Sequence, residues 1–187
     1  MPDPQALLSS VFGFDGFRPG QEEIVTAVTA GEDVLAIMPT GGGKSLCFQL
    51  PALCRDGVTL VVSPLIALMH DQVTALRENG IRADYLNSSL TAQEAQQVQG
   101  RVRSAETEIL YVAPERLLTP SCQRLLAATR IALFAIDEAH CVSQWGHDFR
   151  PEYLKIADVT RLYPGVPRIA LTATADDVTR REILAKL

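Results

Sequence analysis

Short runs of continuous apolar, β-branched sequence at residues 34–38, 59–63, 109–112, 133–136 and 169–172 constrain this chain more than any other feature. A strand with one wet face alternates apolar and polar residues. A strand that is apolar throughout is buried on both faces, as in a parallel sheet layered between helices. Residues 83–86 form a weaker run and predict a further strand. Helical patterns fill the gaps. Ile66, Met69, Val73 and Leu76 share one helical face, and Asn79-Gly80 supplies the stop. Thr91 and Glu94 form a capping box for a helix that turns Ala95, Val98 and Val102 inward. Residues 22–30, closed by Gly31, and residues 176–187 predict two more helices. The fold class is therefore α/β, a mostly parallel sheet with helices on both faces and ligands at the carboxyl ends of its strands.

The 187 residues predict one domain, over 1–187, and no linker or repeat divides them. A formal net charge of -5 excludes a basic arm as a source of nucleic-acid affinity. No apolar run approaches the ~20 residues of a membrane span, so no membrane partner is expected, and the start lacks the basic-then-apolar pattern of a secretory leader. Cys47, Cys54, Cys122 and Cys141 show neither a C-x-x-C pair nor zinc-ligand spacing. They read as reduced thiols filling the core of a cytoplasmic protein, with no zinc expected.

Residues 38–45, Met-Pro-Thr-Gly-Gly-Gly-Lys-Ser, follow a strand and precede an apolar helical segment at 46–53. This is the setting of a phosphate-binding loop. Thr40, Gly41, Gly42 and Gly43, entered through Pro39, would turn backbone N–H groups onto phosphate oxygens. Lys44 would reach the β- and γ-phosphates of ATP, and the Ser45 hydroxyl would ligate Mg²⁺. Met38 stands where the strict G-x-x-x-x-G-K-S pattern has glycine. A second strand runs straight into Asp137-Glu138-Ala139-His140. Asp137 is placed for the other magnesium contact, and Glu138 for accepting a proton from attacking water. His140 is assigned to coupling rather than chemistry. Spacing and periodicity thus point to a magnesium-dependent P-loop NTPase domain.

Residues 137–153, Asp-Glu-Ala-His-Cys-Val-Ser-Gln-Trp-Gly-His-Asp-Phe-Arg-Pro-Glu-Tyr, resemble the extended DEAH box and aromatic-rich loop of the RecQ-family DNA helicases. Residues 12–23 resemble that family's motif 0, 62–72 its motif Ia, 111–116 its motif Ib and 170–175 its motif III. The resemblance implies a superfamily 2, RecA-like fold. It also implies ATP-driven 3′ to 5′ translocation on single-stranded or partly duplex DNA, roles in recombination and repair, and a place in the nucleoid or nucleus. In motif 0, Gln21 would meet the adenine edge while Phe14 and Arg18 stack on the ring; a solvated residue on a first helical turn is the alternative for Gln21. In the loop Ser143, Gln144, Trp145, His147, Asp148, Phe149 and Arg150, the aromatics would stack on unpaired bases. A small satellite core holding Trp145 is the competing reading. Ser63 and Pro64 would touch a DNA backbone, or Ser63 would simply cap a helix. Thr172 and Thr174 would link the γ-phosphate region to the DNA side, or cap the last helix.

The resemblance implies further parts: a second RecA-like domain supplying an arginine finger, worth ~10³–10⁵ in turnover, and C-terminal nucleic-acid-binding modules. The chain stops as the last helical pattern finishes, so it is expected to be one half of a longer motor, weak in hydrolysis alone. The net charge of -5 agrees with much of the DNA affinity residing in those other parts. A superfamily 2 RNA helicase and a non-catalytic binding module are the alternatives. The aromatic-rich loop argues against the first, and intact Lys44, Ser45, Asp137 and Glu138 argue against the second.

Overall fold

A computed structural model describes residues 1–39, 43–173 and 176–187. All six apolar runs become strands: β1 (Val34–Ile37), β2 (Val58–Val62), β3 (Ala83–Leu86), β4 (Ile109–Val112), β5 (Ile131–Ile136) and β6 (Arg168–Thr172). They form one sheet of order β1-β6-β5-β2-β4-β3, and every neighbouring pair is parallel. Continuous hydrophobicity arises because successive side chains of each strand enter two different cores. Leu60, Val62, Leu110, Val112, Phe134 and Ile136 face one layer. Val61, Ile109, Tyr111, Leu133, Ala135, Ile169 and Leu171 face the other. β2, at the centre, is buried along its whole length.

Around the sheet run α1 (Pro4–Ser10), α2 (Gln21–Thr29), α3 (Leu46–Cys54), α4 (Ile66–Glu78), α5 (Ala92–Arg103), α6 (Pro114–Leu117), α7 (Pro120–Ala127), α8 (Glu152–Arg161) and α9 (Asp177–Lys186). The predicted capping box closes α5: the Thr91 hydroxyl accepts from Glu94 N at 3.1 Å, and Glu94 accepts from Thr91 N at 2.9 Å. Gly80, at φ +81°, ends α4 as expected. Helices α1, α6, α7 and α8 lie where no element was predicted. Yet α8 turns Tyr153, Ile156, Ala157 and Thr160 inward at helical spacing, and α7 does so with Cys122, Leu125 and Leu126. All four cysteines are free and buried. Burial alone pushes the Cys47 thiol up to about 11.

The two cores set the position of the site. After β1 and β2 the chain turns to the face covered by α3 and α4; after β5 and β6 it turns to the face covered by α8 and α9. The helices that follow β1 and β5 therefore lie on opposite faces, and in such sheets ligands bind at the carboxyl ends of the strands.

One position is strained without serving that site. Ala105 follows α5 at φ +58°, its N–H donating to Val102 O and the Glu106 N–H donating to Arg101 O. This is the left-handed helix end that glycine adopts at no steric cost. Ala105→Gly is expected to stabilise the chain by about 1 kcal/mol, or ~2–4 °C in Tm. A denaturation midpoint that failed to rise would show that the flanking turn has relaxed around the alanine.

Candidate nucleotide and coupling site

Gly43, Lys44 and Ser45 lead into α3 from the end of β1, and Ser45 is the residue preceding its first turn. Thr40, Gly41 and Gly42 lie outside the described residues. Gly43 adopts φ +80°, and a Cβ there would run into the Gln21 amide. Glycine is thus favoured by backbone sign, and a side chain there would also displace the Gln21 amide from its hydrogen bonds. Met38, the departure from the strict pattern, is buried, and the Cys47 thiol lies 3.7 Å from its sulfur. A glycine there would leave a hole in that core. Pro39 is exposed beside it.

Gln21 is 3% exposed, so the solvated alternative is ruled out. Its amide faces inward: Nε2 donates to Gly43 O at 3.0 Å, and Oε1 accepts from Arg18 N at 2.8 Å. In this conformation Gln21 braces the phosphate loop against the segment carrying Arg18, with one donor and one acceptor already engaged. Phe14 is half exposed and Arg18 exposed, so both present area to a planar ring.

Asp137 and Glu138 stand at the end of β5. The Asp137 N–H donates to Val62 O at 2.9 Å, and the Asp137 carboxylate accepts from the Glu138 N–H at 2.9 Å. Burial raises the Asp137 carboxyl above its usual range, and the neighbouring Glu138 charge adds to this. The Glu138 N–H, Lys44 and His140 act in the opposite sense. A half-buried carboxylate held near a second carboxylate and a lysine is a fitting seat for a divalent cation, whose charge would offset that cost. Glu138 itself sits at φ +53°, a left-handed backbone on a non-glycine residue. Strain of this kind persists where the surroundings over-determine it. Here the Cys141 N–H donates to Glu138 O at 2.9 Å, and the Tyr153 hydroxyl donates to Asp137 O at 2.8 Å.

From Glu138 a polar chain runs outward. His140 Nε2 lies 3.4 Å from Glu138 Oε2 and 3.7 Å from Asp148 Oδ2, while its Nδ1 is 2.8 Å from Thr172 Oγ1. The His147 ring stacks on His140 with centroids 5.8 Å apart. Arg150 Nε approaches Asp148 Oδ1 at 3.5 Å, so a carboxylate of its own loop partners this arginine. The loop closes where the Arg150 N–H donates to Cys141 O. Thr172 is fully buried at the end of β6; Thr174 lies outside the described residues.

The loop's aromatics divide. Phe149 is partly buried, whereas Trp145 is 82% exposed, which overturns the satellite-core reading. Gln144 and His147 are exposed with it. Two expected contacts need correction. Ser143 is fully buried, and its hydroxyl donates to Glu182 on α9 at 2.9 Å, so it is a strut and not a surface for DNA. Ser63 is 2% exposed, and its hydroxyl accepts from Leu65 N at 3.2 Å; it shapes the turn before α4, leaving Pro64 and the exposed Leu65 as the outward residues. Sequence reasoning missed Glu182, which also accepts from Gln144 N and pairs with Lys186 at 3.0 Å. It missed the Tyr153 hydroxyl as a support for Asp137. Neither has a local sequence signal, because each partner is distant in the chain.

Known proteins similar to this chain are helicases. The chain is 53% identical over 186 residues to the ATP-dependent DNA helicase RecQ of Haemophilus influenzae, covering 100% of this chain and 30% of that protein. It is 55% identical over 181 residues to the RecQ of Pasteurella multocida, covering 97% and 29% respectively. The chain therefore spans less than a third of the length of these relatives. Among solved structures, a hypothetical ATP-dependent RNA helicase from Sulfolobus tokodaii superposes with a TM-score of 0.75 at 19% identity, over 100% of this chain and 55% of that one. The DUF1998 helicase MrfA bound to DNA gives 0.74 at 22% identity, over 100% and 29%. At these identities the likeness is one of fold, that of helicase RecA-like domains. The DEAD/DEAH box helicase model matches residues 18–182, which takes in Gln21, Lys44, Asp137, Glu138 and the Trp145 loop, and the chain belongs to that family.

Proposed function

We propose that this chain is the ATP-binding and hydrolysing half of a RecQ-like 3′ to 5′ DNA helicase, a single RecA-like domain working with a second one. The observation that carries the reading is the approach of two strand ends: Gln21 holds Gly43 at the start of α3, and the Lys44 charge that follows acts on the Asp137 carboxyl at the end of β5. The left-handed Gly43 backbone and the cost of the paired carboxylates both suit a magnesium–triphosphate. Ser45 and Asp137 would hold the cation, and Lys44 the β- and γ-phosphates. When bound, magnesium would neutralise charge on the phosphate oxygens. Glu138 takes the proton of the attacking water at its carboxylate, which stands on a left-handed backbone beside His140. His140, between Glu138 and Thr172, carries the state of the Trp145 loop to the base.

Lys44→Ala removes a charge-assisted phosphate contact of ~1.5–3 kcal/mol and is expected to weaken ATP binding roughly tenfold or more. Calorimetry on the two proteins tests this, and equal affinities would refute it. Trp145 tests the DNA side. Its exposure leaves little packing to lose, so Trp145→Ala should melt like the parent, within ~0.5 kcal/mol. In a helicase carrying this domain it should spare basal ATP hydrolysis and remove most stimulation by single-stranded DNA, because stacking at ~1–3 kcal/mol per base is lost. Stimulation by DNA undiminished in the variant would dismiss the coupling role. Stronger stimulation by RNA than by DNA in the parent would favour the RNA-helicase alternative.

A further inference from the structure

Three potential metal ligands converge where the loop begins and ends. One ligand atom each from His140, Cys141 and Asp148 lies within 4.8 Å of the other two. Asp148 Oδ2 is 3.7 Å from His140 Nε2 and 3.7 Å from Cys141 Sγ. A tetrahedral zinc-class ion with bonds of ~2.0–2.3 Å holds its ligands about 3.3–3.8 Å apart, so two of the three separations already match. Asp148 divides its oxygens, giving Oδ1 to Arg150 and keeping Oδ2 on the side of His140 and Cys141. His140 Nδ1 lies 2.8 Å from the Thr172 hydroxyl, and in the tautomer that donates there Nε2 offers its lone pair to the same point, the usual arrangement of a metal-ligating histidine.

We propose that His140, Cys141 and Asp148 form a site for a borderline-soft divalent cation of the zinc class, distinct from the magnesium seat at Ser45 and Asp137, with water as the fourth ligand. The donor types decide the class: a thiolate and an imidazole select zinc, cobalt or cadmium, and magnesium keeps to oxygen. On binding, the Cys141 S–H bond is replaced by an S–metal bond and one proton leaves to solvent, so affinity rises with pH. The cation reaches the fully buried Cys141 from the side of Asp148, whose side chain is 42% exposed. Its consequence is mechanical. It ties the first turn after Glu138 to the far end of the loop and engages the histidine that lies between Glu138 and Thr172. The Trp145 loop is then pinned in one position, and zinc-class ions act as a brake on whatever that loop transmits.

The site is tested on the chain without nucleotide or DNA, so the outcome stands apart from the proposed helicase function. Cobalt(II) titration of the wild-type chain should give one saturable thiolate-to-cobalt charge-transfer band with the strong visible bands of four-coordinate cobalt. Zinc should erase both, and a large excess of magnesium should leave them. Cys141→Ser should abolish the charge-transfer band. Asp148→Asn, half exposed and outside the core, should weaken cobalt binding at least about tenfold, and it decides the matter should the buried serine impair folding. A wild-type chain with no thiolate band overturns the proposal. So does a band undiminished in Cys141→Ser, which would move the ligand to Cys47, Cys54 or Cys122, or equal affinity in Asp148→Asn.

Discussion

Glu138→Gln is expected to leave nucleotide binding intact while lowering ATP turnover by about 10²–10⁴-fold, the usual contribution of a positioned general base. Glutamine keeps the length and volume of the side chain but has no basic oxygen that could take a proton from water. The backbone that aims it should not move. Its φ of +53° is held by Cys141 N–H on Glu138 O and by the carboxylate of Asp137 on Glu138 N–H, and neither bond involves the substituted group. A thermal melt close to the parent's is therefore part of the expected result. The measurement is steady-state ATP hydrolysis in a helicase carrying this domain, beside calorimetric binding of ATP. Turnover close to the parent's with normal binding would transfer the role of base elsewhere, and His140, 3.4 Å from Glu138 Oε2, would be the first group to substitute next.

The contrast between the predicted and observed roles of these residues follows from the range over which sequence carries information. The strands were legible because both faces of the sheet are buried, so every position in β2 had to be apolar. The capping box was legible because both of its hydrogen bonds lie within four residues. Lys44, Asp137 and Glu138 stood out as candidates because the proposed chemistry demands particular residue types at strand ends. Gln21 was legible as a site residue but not as a brace, since its partner Gly43 is brought to it only when α2 packs on α3. Ser143 is similar. Its neighbours are a polar, aromatic-rich loop that suggests solvent, and only the arrival of Glu182 from α9 turns it inward. Trp145 shows the reverse ambiguity: a lone tryptophan fits a core or a stacking platform, and its 82% exposure removes the core. Helix α8 was obscured for another reason. Its first residues belong to the motif that carries the family resemblance, and a motif read as a loop hides the periodicity of Tyr153, Ile156, Ala157 and Thr160.

The faintness of β3 in the sequence has a physical cause, and that cause sets the largest stability effect expected in the chain. Asp84 interrupts this strand, yet it is only 3% exposed. Its carboxylate accepts from Arg77 Nη2 at 2.9 Å, from Arg101 Nη2 at 2.6 Å and from the Thr107 hydroxyl at 2.7 Å. Arg77 also donates through Nε to Ala83 O at 2.8 Å. One carboxylate thus joins α4, α5 and the approach to β4 to a strand that, among the described residues, has β4 as its one sheet neighbour. An inward charge at a sheet edge also discourages another strand from adding there. Asp84→Ala would leave the buried Thr107 hydroxyl without its acceptor and two guanidinium groups without their counter-ion. Both arginines are about half exposed, at 51% and 42%, so water recovers part of the loss. The expected destabilisation is about 3 kcal/mol, at the lower end for breaking a buried ion pair. Asp84→Asn should cost less, because its amide oxygen still accepts from Thr107 or one arginine. ATP binding at the proposed site, which involves no residue of β3, should be unaffected in the folded fraction. Urea unfolding of Asp84→Ala, Arg101→Ala and the double variant measures the coupling directly. Additive losses would mean that Arg101 contributes by packing alone, and a loss under about 1 kcal/mol for Asp84→Ala would mean that the edge strand is held without its carboxylate.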